Sequence, residues 1–191
     1  MLKKEIIWRE ILYQAIEKKQ YKFTQKELAK KFGFSLSTIF NSLKIPRASG
    51  AIKVSGRFFE VVDKQKFLSI WGTHHNLNKN IIYQTRVDLS VQKIEGELPG
   101  NIVPTAYTAY CLKFKDAPAD YDKVYIYAQD LDQIKKRFPI KKGTANLIIL
   151  KLDKFLKNYG QLPPLAQIYV DLWNLSDWFA RDFLNALLNK I

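Results

Sequence analysis

The 191-residue sequence predicts an α+β protein. An N-terminal winged helix-turn-helix is expected over residues 1–70, a linker over 71–80 and a mixed α/β domain over 81–191. Three observations predict this. Two helix-start signals follow one another between Phe23 and Lys44. A Ser55-Gly56 turn then separates two short β-branched and aromatic runs. Beyond residue 80, helical and extended hydrophobic periods are mixed.

Each N-terminal element has a local cause. Ile6, Ile7, Ile11, Leu12, Ala15 and Ile16 form one helical stripe over residues 3–19. Thr24 and Glu27 then stand at capping-box spacing, with Phe23 and Leu28 as a hydrophobic staple. Gly33 supplies a left-handed stop. Ser35 is the next cap, and Leu36, Ile39, Phe40 and Leu43 are expected to be the buried face of the following helix. Ser37, Thr38, Asn41 and Lys44 lie on its other side, side chains able to reach base edges and phosphates in a major groove. Ile52 and Val54, then Phe59, Val61 and Val62, read as the strands of a hairpin, with Arg57 at or just beyond its tip. Three helices and a basic hairpin make a winged helix-turn-helix, whose second motif helix enters the major groove while the wing touches the backbone. The candidate DNA-binding residues are Ser35, Ser37, Thr38, Asn41, Lys44, Arg47 and Arg57.

The charge distribution points the same way. Of a formal net charge of +13, residues 1–70 hold 15 Lys and Arg against 6 Asp and Glu, a local charge of +9. Residues 71–191 hold 16 against 12. Such asymmetry favours a polyanionic partner for the N-terminal part, here double-stranded DNA. Hydrophobic residues at 47% and charged residues at 26% describe a folding chain rather than a disordered one. Apolar runs such as residues 145–150 are too short to span a bilayer, and Glu5, Arg9 and Glu10 interrupt any signal-like segment, so no membrane is expected. The single cysteine, Cys111, fits a reducing, cytoplasmic location.

In the second half, residues 81–94 read as extended, with Ile82, Val87, Leu89 and Val91 partly alternating with polar positions. A helix is expected from Thr105, behind Pro104. "KVYIYA" reads as a buried strand, and "DLDQIKKRF" as a helix capped by Asp130 with Gln133 at the capping-box position. "ANLIILKL" is a further strand. Pro163-Pro164 open a helix through "LAQIYVDLW", burying Leu165, Ile168, Tyr169 and Leu172, and Asp177 is expected to cap the last helix.

These segments, "TAYTAYCLKF", "KVYIYAQDLDQIKKRF", "ANLIILKL", "PPLAQIYVDLW" and "WFARDFLNALL", resemble in kind and order those of the AbiEi family. The most specific piece is Tyr169–Trp173 followed by Arg181. The sequence departs from the usual pattern at residues 174–178 and at Asp182, where relatives carry a glycine turn and a Glu. The resemblance implies an antitoxin-type transcriptional regulator of a type IV toxin–antitoxin pair. Such a protein represses its own operon and neutralises a nucleotidyltransferase-type toxin encoded alongside. Asp171, Arg181 and Asp182 are the candidates for a partner-binding surface or for polar links between helices. Some of Tyr107, Tyr110, Tyr125, Tyr127, Trp173 and Trp178 could contribute to such a surface.

No catalytic, metal or cofactor site is expected. His74-His75 are adjacent, with no further ligand at metal spacing, and read as a solvated loop. Cys111 sits among apolar neighbours on a helix. Asp130, Asp132 and Lys135, or Asp88 with Glu95, would be the carboxylates of a rival reading, a metal-dependent nuclease delivered to DNA by its winged helix. A regulator sensing a small molecule in its second domain is a further alternative.

Overall fold

The structure, a computed structural model describing residues 1–191, has an α+β fold with nine helices and two sheets. It divides into two units. The first is Met1–His75 with Pro164–Ala166, and the second is Asn76–Pro163 with Gln167–Ile191.

The first unit runs α1 (Lys3–Glu17), β1 (Lys22–Phe23), α2 (Gln25–Phe32), α3 (Leu36–Ala48), β2 (Ile52–Ser55), β3 (Phe58–Val61) and α4 (Lys64–His74). The strands form an antiparallel sheet in the order β1-β3-β2, with Phe23 paired to Phe59 and Ser55 to Phe58. The apolar stripe expected on α1 is buried throughout, and so are Glu5, Arg9 and Glu10 between its members. Glu10 takes the Lys31 ammonium at 2.5 Å and the Gln14 amide at 2.8 Å, so a charge that would be costly alone is held by donors.

Of the stretch 71–80, expected to be a linker, residues 71–74 belong to α4 and 77–80 to a 3-10 turn, and the two units divide within it, between His75 and Asn76. Asp63 caps α4 by accepting from the Lys66 N–H at 2.8 Å, and the helix then buries Phe67, Leu68 and Trp71. Leu77–Asn80 form a 3-10 turn. His74 is the last residue of α4, not part of a solvated loop. His75 is buried, with Nδ1 2.9 Å from Glu5 Oε2.

The second unit contains β4 (Ile81–Thr85), α5 (Val91–Gly96), β5 (Val103–Thr105), α6 (Ala106–Phe114), β6 (Val124–Ala128), α7 (Asp132–Arg137) and β7 (Leu147–Lys151). Helices α8 (Leu165–Trp173) and α9 (Ala180–Leu188) follow. The sheet order is β4-β7-β6-β5, parallel between β6 and β7 and antiparallel at both outer pairs. Val124, Ile126, Leu147 and Ile149 pack on one face with Ile94, Ile134 and Phe138. Tyr125 and Tyr127 alternate with them and point the other way, as strand periodicity requires.

Three expectations for this unit need correction. The extended run ends at Thr85, because Ser90 caps a helix that contains Val91. Asp130 accepts from the Asp132 N–H at 2.9 Å, but α7 has no side-chain cap and no capping box with Gln133. Asp177 does not cap α9, since its carboxylate takes the Tyr107 hydroxyl at 3.0 Å and the Lys123 ammonium.

Candidate nucleic-acid interface

Helix α2 starts and stops as its residues dictate. The Glu27 N–H donates to Thr24 Oγ1 at 3.2 Å, and the Thr24 N–H donates to Glu27 Oε2 at 3.0 Å, which completes the capping box. Gly33 closes the helix at φ 64°, a conformation costly for a residue with a Cβ. Two residues later Ser35 opens α3, accepting from the Thr38 N–H at 3.2 Å. The Ser35 and Thr38 hydroxyls also lie 2.9 Å apart, so both side chains are engaged at this helix start.

The seating of α3 decides which side chains face outward. Pro46 stands inside the helix, where it has no N–H to give to the carbonyl of Ser42, four residues earlier. The Trp8 indole N–H supplies that bond instead, at 2.7 Å. The buried positions of α3 are therefore Ile39, Ser42, Leu43 and Pro46. At about 100° per residue, this turns Ser37, Asn41, Lys44 and Ala48 to the opposite side.

Of the expected buried face, Ile39 and Leu43 are inside, but Leu36 and Phe40 are 49% and 47% exposed. The pattern of apolar residues alone pointed to a stripe shifted towards Leu36. The signal missed was Pro46 together with a distant tryptophan able to serve the freed carbonyl.

Ser35, Ser37, Asn41, Lys44 and Arg47 are exposed and Thr38 is half-buried. The Asn41 amide makes only a long contact, 3.4 Å, to the Ser37 hydroxyl. The Lys44 ammonium lies 5.6 Å from the centre of the Phe40 ring, one helical turn earlier. The β2–β3 hairpin turns on Gly56 and Arg57, with Gly56 at φ 57° in the first central position, where a type II′ turn favours glycine. Arg57 is exposed at the tip.

In the second unit, Asp171 lies in the interior rather than on a surface. Its carboxylate accepts from the Thr105 hydroxyl at 2.5 Å, the Tyr127 hydroxyl at 2.8 Å and the Gln167 amide at 3.0 Å. It links β5, β6 and α8, and burial removes it as a partner contact. Arg181 and Asp182 are exposed on α9. Trp178 is exposed and Trp173 partly so, whereas Tyr107, Tyr110, Tyr125 and Tyr127 are core residues.

The carboxylates of the rival reading are engaged separately. Asp88 pairs with Arg86 at 3.2 Å and with Lys141, and these cations hold its carboxyl below the ordinary value. Glu95 accepts from the Thr108 hydroxyl at 2.7 Å and the Tyr121 hydroxyl at 3.0 Å. No group of three or more His, Cys, Asp or Glu side chains is placed to hold a metal ion. Burial pushes the Cys111 thiol up, opposite to the shift that activates a nucleophile. No helix is long and apolar enough to cross a membrane. No family model, no curated protein and no solved structure matches the chain.

Proposed function

We propose that the first unit is a winged helix-turn-helix and that the protein is a sequence-specific DNA-binding transcriptional regulator. The observation that carries this reading is the order α1-β1-α2-α3-β2-β3 with a hydrogen-bonding outward side on α3. That side presents Ser37, Asn41 and Lys44, types suited to base edges and phosphates. The hairpin tip adds Arg57, and the local excess of 15 basic over 6 acidic residues in 1–70 supplies the attraction to a polyanion. In this reading α3 enters the major groove, and Arg47 and Arg57 hold the backbone.

The test is a titration of the full-length chain against a labelled 30-base-pair duplex at several salt concentrations. About five phosphate contacts give a slope of log K against log salt of about −4 to −5. A chain that is folded yet shows no salt-dependent binding to any duplex contradicts the proposal.

For the second unit the proposed role is non-catalytic and regulatory, that of an antitoxin acting on a nucleotidyltransferase-type toxin encoded alongside. Support comes from the resemblance of its ordered segments to the AbiEi family and from the structural engagement of Asp88, Glu95, Asp171 and Asp177. Co-expression with the product of the neighbouring gene tests it through rescue of growth. Metal-dependent nucleic-acid cleavage by the purified chain would overturn it.

A further inference from the structure

We infer that α3 selects A·T pairs by contact with thymine methyl groups, through Leu36 and Phe40. This inference rests on the proposed docking of α3 in the major groove and assigns what that helix recognises. The exposed surface of α3, from its flank to its outward side, carries two rows at the i, i+4 spacing that makes side chains neighbours on a helix. One row is Leu36, Phe40, Lys44, and the other is Ser37, Asn41, Ile45. At the start of α3 the apolar pair Leu36 and Phe40 thus lies beside the polar pair Ser37 and Asn41, and the two rows end in Lys44 and the exposed Ile45.

Leu36 at 49% and Phe40 at 47% exposure are large apolar side chains left in water, as is Ile45 one turn on, while Ile39, Leu43 and Pro46 are buried. The Lys44 ammonium, 5.6 Å from the Phe40 ring centre, favours one placement of the ring and sets a cation next to it.

The major-groove edge of an A·T pair has the matching character. It displays the adenine N7 acceptor and N6 donor, and beside them the thymine C5 methyl, an apolar group that no G·C edge offers. Asn41, with only a 3.4 Å contact to Ser37, is able to turn its amide to adenine N7 and N6. Phe40, the next residue on the adjacent row, then covers a methyl. A G·C pair in the same place sets the ring against polar edge atoms and strips them of water without a partner. The occupant is fixed by charge as well as by shape. Lys44 and Arg47 lie on the same helix, Arg57 is exposed at the hairpin tip, and no acidic residue lies in α3. A second copy of the same basic surface would be repelled.

The experiment selects preferred sites for the full-length chain from a pool of random 30-base-pair duplexes, then compares the selected duplex with a copy in which deoxyuridine replaces thymidine. The copy keeps every hydrogen-bonding group and loses only the methyls. The expected result is an A·T-rich selected site and a loss of about threefold to fivefold in affinity per contacted methyl. The double variant Leu36→Ala/Phe40→Ala is expected to bind both duplexes with the same affinity, and each single variant to keep only part of the preference. Because both side chains are exposed, these variants should fold, which circular dichroism verifies.

Salt-dependent binding with no thymine-over-uracil preference overturns the inference while leaving the proposed function intact. Absence of binding to any duplex removes both. A self-association seen by sedimentation and abolished by Phe40→Ala overturns the inference in favour of a second copy as occupant.

Discussion

The indole N–H of Trp8 donates to the carbonyl of Ser42 at 2.7 Å, and that carbonyl is the one Pro46 leaves without its helical donor. A proline in the last turns of α3 would ordinarily end the helix. Here the chain continues to Ala48, and Pro46 itself is buried. The same bond ties α1 to the inward side of α3, where Ile39, Ser42, Leu43 and Pro46 are buried.

This relationship predicts a coupling. Trp8→Phe is expected to destabilise the protein by at least about 1–3 kcal/mol, because it leaves a buried carbonyl unsatisfied. Pro46→Ala returns a backbone donor to that carbonyl, so Trp8→Phe should cost less in the Pro46→Ala background. Urea denaturation of the four proteins measures the interaction energy, expected at about 0.5–3 kcal/mol. Strict additivity would contradict it.

Much of the first unit was legible because its signals are local. Thr24 with Glu27, Gly33, Ser35 and Gly56 each act within a few residues, and each has the structural role its type implies. What was not legible depends on partners far along the chain. Leu36 and Phe40 read as buried, but the side of α3 tied to α1 through Trp8 is that of Ser42 and Pro46. His75 read as solvated, yet its partner Glu5 is 70 residues away. Asp171 needed Thr105 and Tyr127 to become an interior residue, and a helical wheel shows neither. The two-residue strand β1 is too short to leave a period at all.

Asp171 and the two charged residues of α9 should separate cleanly. Asp171→Ala removes the shared acceptor of the Thr105 and Tyr127 hydroxyls and one of the two acceptors of the Gln167 amide, which keeps its bond to the Tyr127 oxygen at 3.1 Å, with an expected cost of at least about 3 kcal/mol. Arg181→Ala and Asp182→Ala, on exposed positions, should stay within about 0.5 kcal/mol. Thermal unfolding of the three variants decides between an interior link and a surface role for Asp171.

The second unit should be sensitive to alkali. Burial, reinforced by nearby carboxylates, raises the Tyr107, Tyr121 and Tyr125 hydroxyls well above their ordinary value. The folded state therefore holds these protons more tightly than the unfolded state. Their contribution is complete below the ordinary tyrosine value of about 10 and is lost as pH rises above it. Of 10 tyrosines, these three should stay un-ionised while the exposed ones titrate, then ionise together as tertiary structure melts. Absorbance at the tyrosinate band, followed with near-ultraviolet circular dichroism, should show the two events coincide. Smooth independent titration would contradict the burial described.

Asn41 and Arg57 are assigned different roles, and binding should distinguish them. Asn41→Ala is expected to cost about 1–3 kcal/mol at the preferred site and little on random DNA. Arg57→Ala should weaken both by similar factors and reduce the salt slope by about 1. Interchangeable profiles would undo the assignment.

The most direct test of the central claim is hydrogen exchange of the full-length chain with and without its selected duplex. The account predicts that duplex DNA slows exchange at the start of α3, residues 35–41, and at the hairpin tip, residues 54–58, with smaller changes in residues 81–163. Protection confined to the second unit, with α3 and the hairpin unaffected at saturating DNA, would contradict it.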